Sequence, residues 1–259
     1  MTEKLPHIDP KSRGRIAPAW CSLALLCTLT PFCFAAKGEA PQPAHYKTGE
    51  QTWDGSGKYY MGREISQVVG HRAIAWLERP GREREEVPDK VVANMELEPD
   101  DTVLDIGAGS GYFTFRAARR VPEGKAIAED INKKMLAFIK EKKTAEGVAN
   151  LETHLGTIQD VKLPEASVNV AYLVDAYHEF SHPREMMESV LLALVPGGRL
   201  ILLEYRKEDP SVDIKPLHKM TQRQAIAEME AVGFEHLETR DFLPSQHFMI
   251  FGKPQSTAR

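Results

Sequence analysis

The hydrophobic residues between positions 102 and 205 form short apolar runs that alternate with longer amphipathic segments. The apolar runs predict buried strands near residues 102–107, 124–129, 150–155, 168–174 and 199–205. The amphipathic segments between them predict helices at about 111–120, 132–146 and 183–194. Strands that alternate with helices favour an α/β fold, in which a mostly parallel sheet carries helices on both faces.

The C-terminal part of the chain has a different pattern. Thr221 followed by Gln224 is a capping-box pair, which predicts a helix that ends near Gly233. Two further strands are predicted at about 235–241 and 246–252. The link between them is too short for a crossover connection, so we expect an antiparallel hairpin.

The N-terminal segment, residues 1–36, has the layout of a signal peptide. Lys and Arg residues precede an apolar run over 16–36 that contains no charge. Small residues at Cys33 and Ala35 favour cleavage after Ala35, and an uncleaved signal anchor is the alternative. Both predict an exported domain, periplasmic or otherwise extracytoplasmic, that contacts a membrane only through this segment.

Residues 37–57 lack apolar periodicity and are interpreted as a linker. We expect residues 58–97 to form a helical cap, with one helix from Ile65 to Leu77 and another from Pro88 to about Met95. Arg63 is a candidate to meet a carboxylate of a bound molecule. The alternative is a helix that only caps the edge of the sheet, with Trp76 buried. The charged run over 82–86 is expected to face solvent. Residues 98–259 are predicted to form the main domain.

Composition and charge argue against several classes of protein. The chain of 259 residues is 42% hydrophobic and 27% charged, as in soluble globular proteins. A net charge of -4 with dispersed Lys and Arg disfavours a nucleic-acid-binding surface. All three cysteines lie within residues 1–36 without acidic or histidine neighbours, so we predict no disulfide and no metal site.

The most informative segment is a glycine-rich loop between the first predicted strand of the sheet and a helix. Gly107, Gly109 and Gly111 allow a sharp turn and a close backbone approach to a ligand. A dinucleotide fingerprint needs a small residue at position 112, where the chain has Tyr112, so NAD binding is disfavoured. Asp105 places a carboxylate just before the loop, where a cationic amino-acid group would lie.

From about Val103 to Lys253 the chain resembles class I S-adenosylmethionine-dependent methyltransferases of the ubiquinone and menaquinone (UbiE, or type 11) kind. The loop resembles their motif I, and residues 194–200 resemble their proline-glycine-glycine turn into the fifth strand. The resemblance implies a Rossmann-like sheet of seven strands, mostly parallel, with a C-terminal antiparallel hairpin. It also implies S-adenosylmethionine as co-substrate and a small-molecule acceptor.

The resemblance assigns the cofactor-binding residues. Asp130, at the end of the second strand, would accept hydrogen bonds from the ribose hydroxyls, and Glu129 is the alternative. The family's acid after the third strand is absent here, so adenine contacts would rest on Thr157 and the backbone of Ile158. The full predicted set is Asp105, Gly107, Ala108, Gly109, Gly111, Asp130, Ile131, Thr157, Ile158 and Asp175.

Residues 174–180 follow the fourth strand, at the edge where open α/β sheets bind ligands. His178 is a candidate general base for the acceptor, oriented by Glu179 or Asp175. The alternative is that His178 only shapes the pocket, since displacement at a sulfonium needs positioning more than proton transfer. Glu204 and Tyr205 are expected to border the acceptor.

Three functions fit this pattern: a small-molecule methyltransferase, a non-catalytic protein that binds S-adenosylmethionine or another nucleoside, and a partner-binding protein on the same scaffold. Asp105 and Asp130 argue against the last, because a scaffold alone does not need carboxylates that face a ligand. Export would separate the enzyme from the cytoplasm, where S-adenosylmethionine is made. The methyltransferase is the function that we carry forward.

Overall fold

The structure is a computed structural model that describes residues 45–255. Its main element is a seven-stranded sheet with the strand order β6-β5-β4-β7-β8-β10-β9. The strands are β4 (Thr102–Ile106), β5 (Lys125–Asp130), β6 (Leu151–Leu155), β7 (Val168–Val174), β8 (Leu194–Tyr205), β9 (Glu235–Arg240) and β10 (Gln246–Gly252). Strands β4 to β8 are parallel to one another, and β10 pairs antiparallel with both β8 and β9. The predicted Rossmann-like fold and its C-terminal hairpin are confirmed.

The helices between these strands also match the prediction. The described residues form α1 (Ile74–Leu77), α2 (Arg82–Glu86), α3 (Pro88–Asn94), α4 (Thr114–Arg120), α5 (Lys133–Glu146), α6 (Pro183–Ala193) and α7 (Gln222–Glu230). The hydroxyl of Thr221 accepts a hydrogen bond from the backbone N–H of Gln224 at 3.1 Å, so the predicted cap of α7 is present. No helix within residues 45–255 has the length and apolar character needed to cross a membrane.

The core lies on both faces of the sheet, because successive residues of a strand point to opposite sides. In β4 and β7, Leu104 and Leu173 pack with α6 on one face. On the other face, Tyr172 packs with residues of α3 and α4. Helices on both faces leave the carboxyl ends of the parallel strands as the open edge of the sheet.

The N-terminal part of the described chain differs from the prediction. Three antiparallel strands, β1 (Tyr46–Thr48), β2 (Gly55–Tyr60) and β3 (Arg63–Ser66), occupy the region interpreted as a linker and as the start of a helix. The carboxylate of Glu64 accepts hydrogen bonds from the backbone N–H groups of Thr52 and Gly57, which ties the loop before β2 to β3. The helix predicted from Ile65 to Leu77 is present only over residues 71–77, because residues 63–66 form β3 and Ile65 packs in a small core of this sheet.

The charged run over 82–86 forms α2, and two of its residues are buried. Arg82 and Glu86 lie one helical turn apart, and the Nε of Arg82 donates to Glu86 Oε2 at 2.8 Å. The guanidinium of Arg82 also lies 4.4 Å from the centre of the Tyr112 ring. The expectation of a solvated face was therefore wrong for this pair, since the ion pair and the ring compensate for lost water. The predicted signal segment, residues 1–36, lies outside the described residues.

Candidate functional site

The carboxyl ends of β4, β5 and β7 open into a cavity of about 150 Å³. This first cavity is lined by the glycine-rich loop over residues 107–110 and by acidic residues from three strand ends. The acidic residues are Asp105, Glu129, Asp130, Asp175 and Glu179. The sheet topology therefore brings together side chains that lie up to 74 residues apart in the chain.

The loop approaches this cavity in a conformation that glycine favours. Gly107 and Gly109 have φ angles of 68° and 57°, and both line the cavity. A Cβ on Gly109 would lie 3.1 Å from Leu77. Gly111 has another role, because a Cβ there would lie 3.0 Å from Ile139 of α5 and 3.2 Å from Phe115. It allows α4 to pack closely on α5 and is not among the residues that line the first cavity, so its cofactor contact stays a prediction.

Asp130 is held in place by two backbone groups. Its Oδ1 accepts from the N–H of Asn132 at 2.7 Å, and its Oδ2 accepts from the N–H of Gly109 at 3.0 Å. Burial raises the pKa of Asp130, and these two N–H groups act in the opposite direction. A carboxylate oxygen can accept two hydrogen bonds, so each oxygen keeps a position for a ligand hydroxyl.

The carboxyl group of the neighbouring Glu129 has fewer hydrogen-bond partners. Its Oε2 accepts from the N–H of Gly107 at 3.3 Å, whereas its buried Oε1 has no hydrogen-bond partner within the described chain. Burial, together with the negative charge of Asp130, raises the pKa of Glu129 to about 8. Glu129 is therefore mostly protonated near neutral pH. Asp130, whose two oxygens both accept backbone hydrogen bonds, is the better candidate acceptor for a ligand at this strand end.

Asp105 lies on the floor of the first cavity. Its Oδ2 accepts from the Thr114 hydroxyl at 2.5 Å and from the Tyr172 hydroxyl at 2.9 Å. Burial raises the pKa of Asp105 to about 6, and these two hydrogen bonds reduce the increase. The carboxylate is thus fixed in one orientation and remains mostly ionised at neutral pH.

Only some of the residues predicted to contact adenine line the first cavity. Ile131 and Ile158 line it with apolar side chains that are 43% and 47% exposed. Ala108 lines it through the loop and donates its N–H to the carbonyl of Glu129 at 2.8 Å. The hydroxyl of Thr157 donates instead to the carbonyl of Asp160 at 3.1 Å, and Thr157 lies outside the lining.

A second cavity of about 360 Å³ adjoins the first. The two share six lining residues, among them Arg82, Asp175 and Glu179, and the second also reaches His178 and Tyr205. Asp175 stands between them with a φ of 50°, and Gln246 donates to its Oδ2 at 2.6 Å. Burial, reinforced by the carboxylates of Glu86 and Glu204, raises the pKa of Asp175 well above its ordinary value.

His178, a candidate on this side, is buried at 2% exposure. Its Nδ1 lies 2.6 Å from Glu204 Oε2, and its Nε2 lies 3.0 Å from His218 Nδ1. Burial lowers the pKa of His178, but the Glu204 carboxylate outweighs this effect and the net pKa is raised. Glu204 is therefore the carboxylate that orients His178, a role that the sequence analysis gave to Glu179 or Asp175.

Two residues linked to His178 by hydrogen bonds, His218 directly and Asp54 through His218, were not identified from the sequence. His218 ends a short 3-10 helix (Pro216–His218), and its Nε2 lies 3.2 Å from Asp54 Oδ1. Asp54 precedes β2, 164 residues earlier in the chain. No local motif surrounds either residue, so only the tertiary contact could have revealed them.

Arg63 does not reach either cavity. Its guanidinium donates twice to the buried carboxylate of Glu228, at 2.6 and 3.0 Å, and once to the carbonyl of His178 at 3.2 Å. The carboxylate that Arg63 meets thus belongs to α7, and the predicted contact with a ligand was wrong. The ion pair joins β3 to α7, and the hydrogen bond to the His178 carbonyl joins β3 to the segment that carries His178.

Comparisons of this chain with known proteins agree on one family. The model of a methyltransferase domain matches residues 97–243, more than half of the 259 residues. The UbiE ubiquinone/menaquinone biosynthesis C-methyltransferase of Ectopseudomonas mendocina (strain ymp) is 31% identical over 113 residues, which cover 43% of this chain and 44% of that protein. The uncharacterized methyltransferase YcgJ of Bacillus subtilis (strain 168) is 30% identical over 167 residues, 63% of this chain and 65% of that protein. These matches span less than two thirds of each relative.

Solved structures agree on the fold. An S-adenosylmethionine-dependent methyltransferase from Aquifex aeolicus superposes with a TM-score of 0.68 at 22% identity, covering 71% of this chain and 99% of that one. The [4+2]-cyclase SpnF superposes with a TM-score of 0.59 at 18% identity, covering 69% and 86%. At these identities the superpositions establish the architecture and leave the reaction open.

Proposed function

Because the chain belongs to the methyltransferase-domain family, we propose that it transfers a methyl group from S-adenosylmethionine to a small-molecule acceptor. The observation that carries this proposal is the pair of adjoining cavities at the carboxyl edge of the sheet. One contains the glycine loop and the acids expected for the co-substrate, and the other has room for a second molecule.

The residues of the first cavity fit S-adenosylmethionine. Asp130 keeps an open acceptor position on each oxygen for the two ribose hydroxyls, and ionised Asp105 provides a negative charge for the α-ammonium group. Gly107 and Gly109 keep the loop free of β-carbons where the ligand approaches. When bound, S-adenosylmethionine supplies a methyl group on a sulfonium, so that a bond from the acceptor to this carbon forms as the carbon–sulfur bond breaks and sulfur keeps the electron pair.

The second cavity is the proposed acceptor site. His178 and Glu179 line it, and Asp175 stands at its boundary with the first cavity. We infer that these three residues position the acceptor for in-line attack, where correct placement supplies much of the rate enhancement. The acceptor is identified only as a small molecule.

Calorimetry of the full chain with S-adenosylhomocysteine tests the first cavity. Asp130→Ala should weaken binding by about 1.5 to 3 kcal/mol, because two hydroxyls lose a charged acceptor. Gly109→Val should abolish binding while the circular dichroism spectrum is retained, since the backbone conformation and Leu77 leave no room for the side chain. Glu129→Gln is the matched control at the adjacent position, and its affinity should remain within about threefold. An unchanged affinity in Asp130→Ala would contradict the assignment.

Turnover of His178→Ala tests the acceptor side. A screen of quinols, phenols and amines for S-adenosylhomocysteine release would supply an acceptor. A fall in kcat of about a hundredfold with intact cofactor affinity indicates participation in the chemical step, whereas a rise in KM alone indicates a shaping role. If no acceptor is turned over while the cofactor binds tightly, the chain is better described as a nucleoside-binding protein.

We also propose that residues 1–36 direct export, with cleavage after Ala35. The basic residues followed by a charge-free apolar run support this proposal. After expression in a bacterium with the intact N-terminus, mass spectrometry should detect a chain beginning near Ala36 outside the inner membrane. A cytosolic chain that retains Met1 would contradict it.

A further inference from the structure

Two histidines at the wall of the second cavity have their proton positions fixed by carboxylates. Nδ1 of His178 lies 2.6 Å from Glu204 Oε2, and Nε2 of His218 lies 3.2 Å from Asp54 Oδ1. An ionised carboxylate only accepts hydrogen bonds, so each of these ring nitrogens carries a proton. The other two ring nitrogens, Nε2 of His178 and Nδ1 of His218, are therefore the ones that can bind a ligand.

These two nitrogens face each other at 3.0 Å, and a carboxylate oxygen faces both. Oε1 of Glu179 lies 3.7 Å from His178 Nε2 and 3.5 Å from His218 Nδ1. Two ring nitrogens and one carboxylate oxygen, all of them potential metal ligands, thus converge at the cavity wall. A proton shared by the histidines or a metal ion among the three atoms can satisfy them.

We propose that His178, Glu179 and His218 bind a divalent transition-metal ion of the zinc type. From the three distances of 3.0, 3.5 and 3.7 Å, the nearest point equidistant from the three atoms lies about 2.0 Å from each, and an ion slightly out of their plane lies a little further away. Both positions match the Zn–N and Zn–O bond lengths of about 2.0 to 2.2 Å. Two imidazoles and one carboxylate suit zinc, cobalt or iron, whereas magnesium and calcium prefer oxygen ligands alone.

The surroundings of the three ligands also match a metal site. Metal-binding histidines commonly donate their second ring N–H to a carboxylate, which orients the ring and makes the ligand more basic. Both histidines have this arrangement, through Glu204 and Asp54. His178 is 2% exposed and His218 is 8% exposed, so the ligands are preorganised by packing. Glu179 is fixed as well, because its Oε2 accepts from the N–H of Val69 at 2.9 Å.

All three ligands line the second cavity, so an ion bound there would keep its remaining coordination positions toward the acceptor site. Resting on the proposed function, this placement indicates an acceptor that coordinates through an ionisable heteroatom, such as a phenol or a thiol. Coordination lowers the pKa of such a group and so favours its nucleophilic form. His178 would then act as a ligand, which replaces its predicted role as a free general base.

Metal binding is measured on the full chain after chelator treatment, without any cofactor. Thiolates bind zinc, so the background is the Cys21→Ser, Cys27→Ser, Cys33→Ser variant, in which the N-terminal cysteines cannot contribute. We expect one equivalent of Zn²⁺ by elemental analysis and visible absorption bands on addition of Co²⁺. His218→Gln and Glu179→Gln should each lower the affinity at least tenfold. His236→Gln is the matched control, since His236 pairs with Thr239 on β9, and it should bind like the background.

Asp54→Asn provides a second test that leaves all three ligands in place. It should weaken zinc binding by about 10- to 100-fold, because the orienting carboxylate of His218 is lost.

The proposal is overturned if the background chain binds no zinc, in which case a proton occupies the space between the histidines. It is equally overturned if His218→Gln and Glu179→Gln bind zinc with the affinity of the background chain. Cooperative thermal unfolding of the two variants would show that they are folded. A chain that binds zinc but not S-adenosylhomocysteine refutes only the proposed function, and the converse refutes only the metal site.

Discussion

Glu129 makes the stability of this protein depend on pH, and its replacement by glutamine isolates the effect. The side chain is 1% exposed, its Oε1 has no hydrogen-bond partner among residues 45–255, and its single hydrogen bond, from Gly107, is long. These features disfavour the charged form. They raise its pKa from an ordinary value of 4.5 to about 8.

The direction of the pH dependence follows from the number of protons that the folded and unfolded states bind. An acid whose pKa is higher in the folded state holds more protons when folded, so the free energy of unfolding falls as pH rises from about 4.5 to about 8. The difference between these two pKa values corresponds to about 5 kcal/mol at 1.36 kcal/mol per pH unit. This is an upper limit, because water that enters the cavity stabilises the charge. We expect about 2 to 3 kcal/mol to be observed.

Urea unfolding at pH 5 and pH 8.5 measures the effect. Relative to the wild type, Glu129→Gln should gain about 2 to 3 kcal/mol between the two pH values, since it removes the charge and keeps the shape. Glu165→Gln is the control at an exposed position, and its difference from the wild type should not change with pH. A difference between wild type and Glu129→Gln that is the same at both pH values would refute the reasoning.

Two further predictions concern the elements that hold the second cavity in place. Glu228→Ala should lower the free energy of unfolding by about 3 to 5 kcal/mol in urea titrations, because the buried Arg63 guanidinium would lose its partner. The double replacement Arg63→Met with Glu228→Leu should recover most of that loss, and failure to do so would mean that packing and not the unpaired charge causes it. Thr221→Ala should cost about 1 kcal/mol by the same measurement, since the first turn of α7 loses its cap. Thr221→Ser should cost less than half as much, and equal costs for the two would show that the hydroxyl is not responsible.

The sequence by itself determined the features that depend on neighbouring residues. The strand before Gly107, the left-handed glycines of the loop and the cap of α7 each arise from residues a few positions apart. Their patterns of apolar residues, glycines and caps are therefore visible in the chain. The seven-stranded sheet was predictable for the same reason, because buried parallel strands give continuous apolar runs.

The three-stranded sheet before the main domain was not predictable in this way. Its β2 begins Gly-Ser-Gly, which gives no alternation of apolar and polar residues. Likewise, the charges of Arg82 and Glu86 indicate a solvated face by composition alone. Burial of the pair depends on Tyr112, which lies about 30 residues further along the chain.

Only the tertiary structure decided the chemistry of the second cavity. His178 follows β7, Glu204 lies near the end of β8, His218 ends a short 3-10 helix and Asp54 precedes β2. Their contacts span 26 to 164 residues of sequence, and each depends on which strands are neighbours and on where the N-terminal sheet packs. Hydrogen bonds across such separations leave no periodic trace in the chain, because nothing local requires a histidine or a carboxylate at those positions.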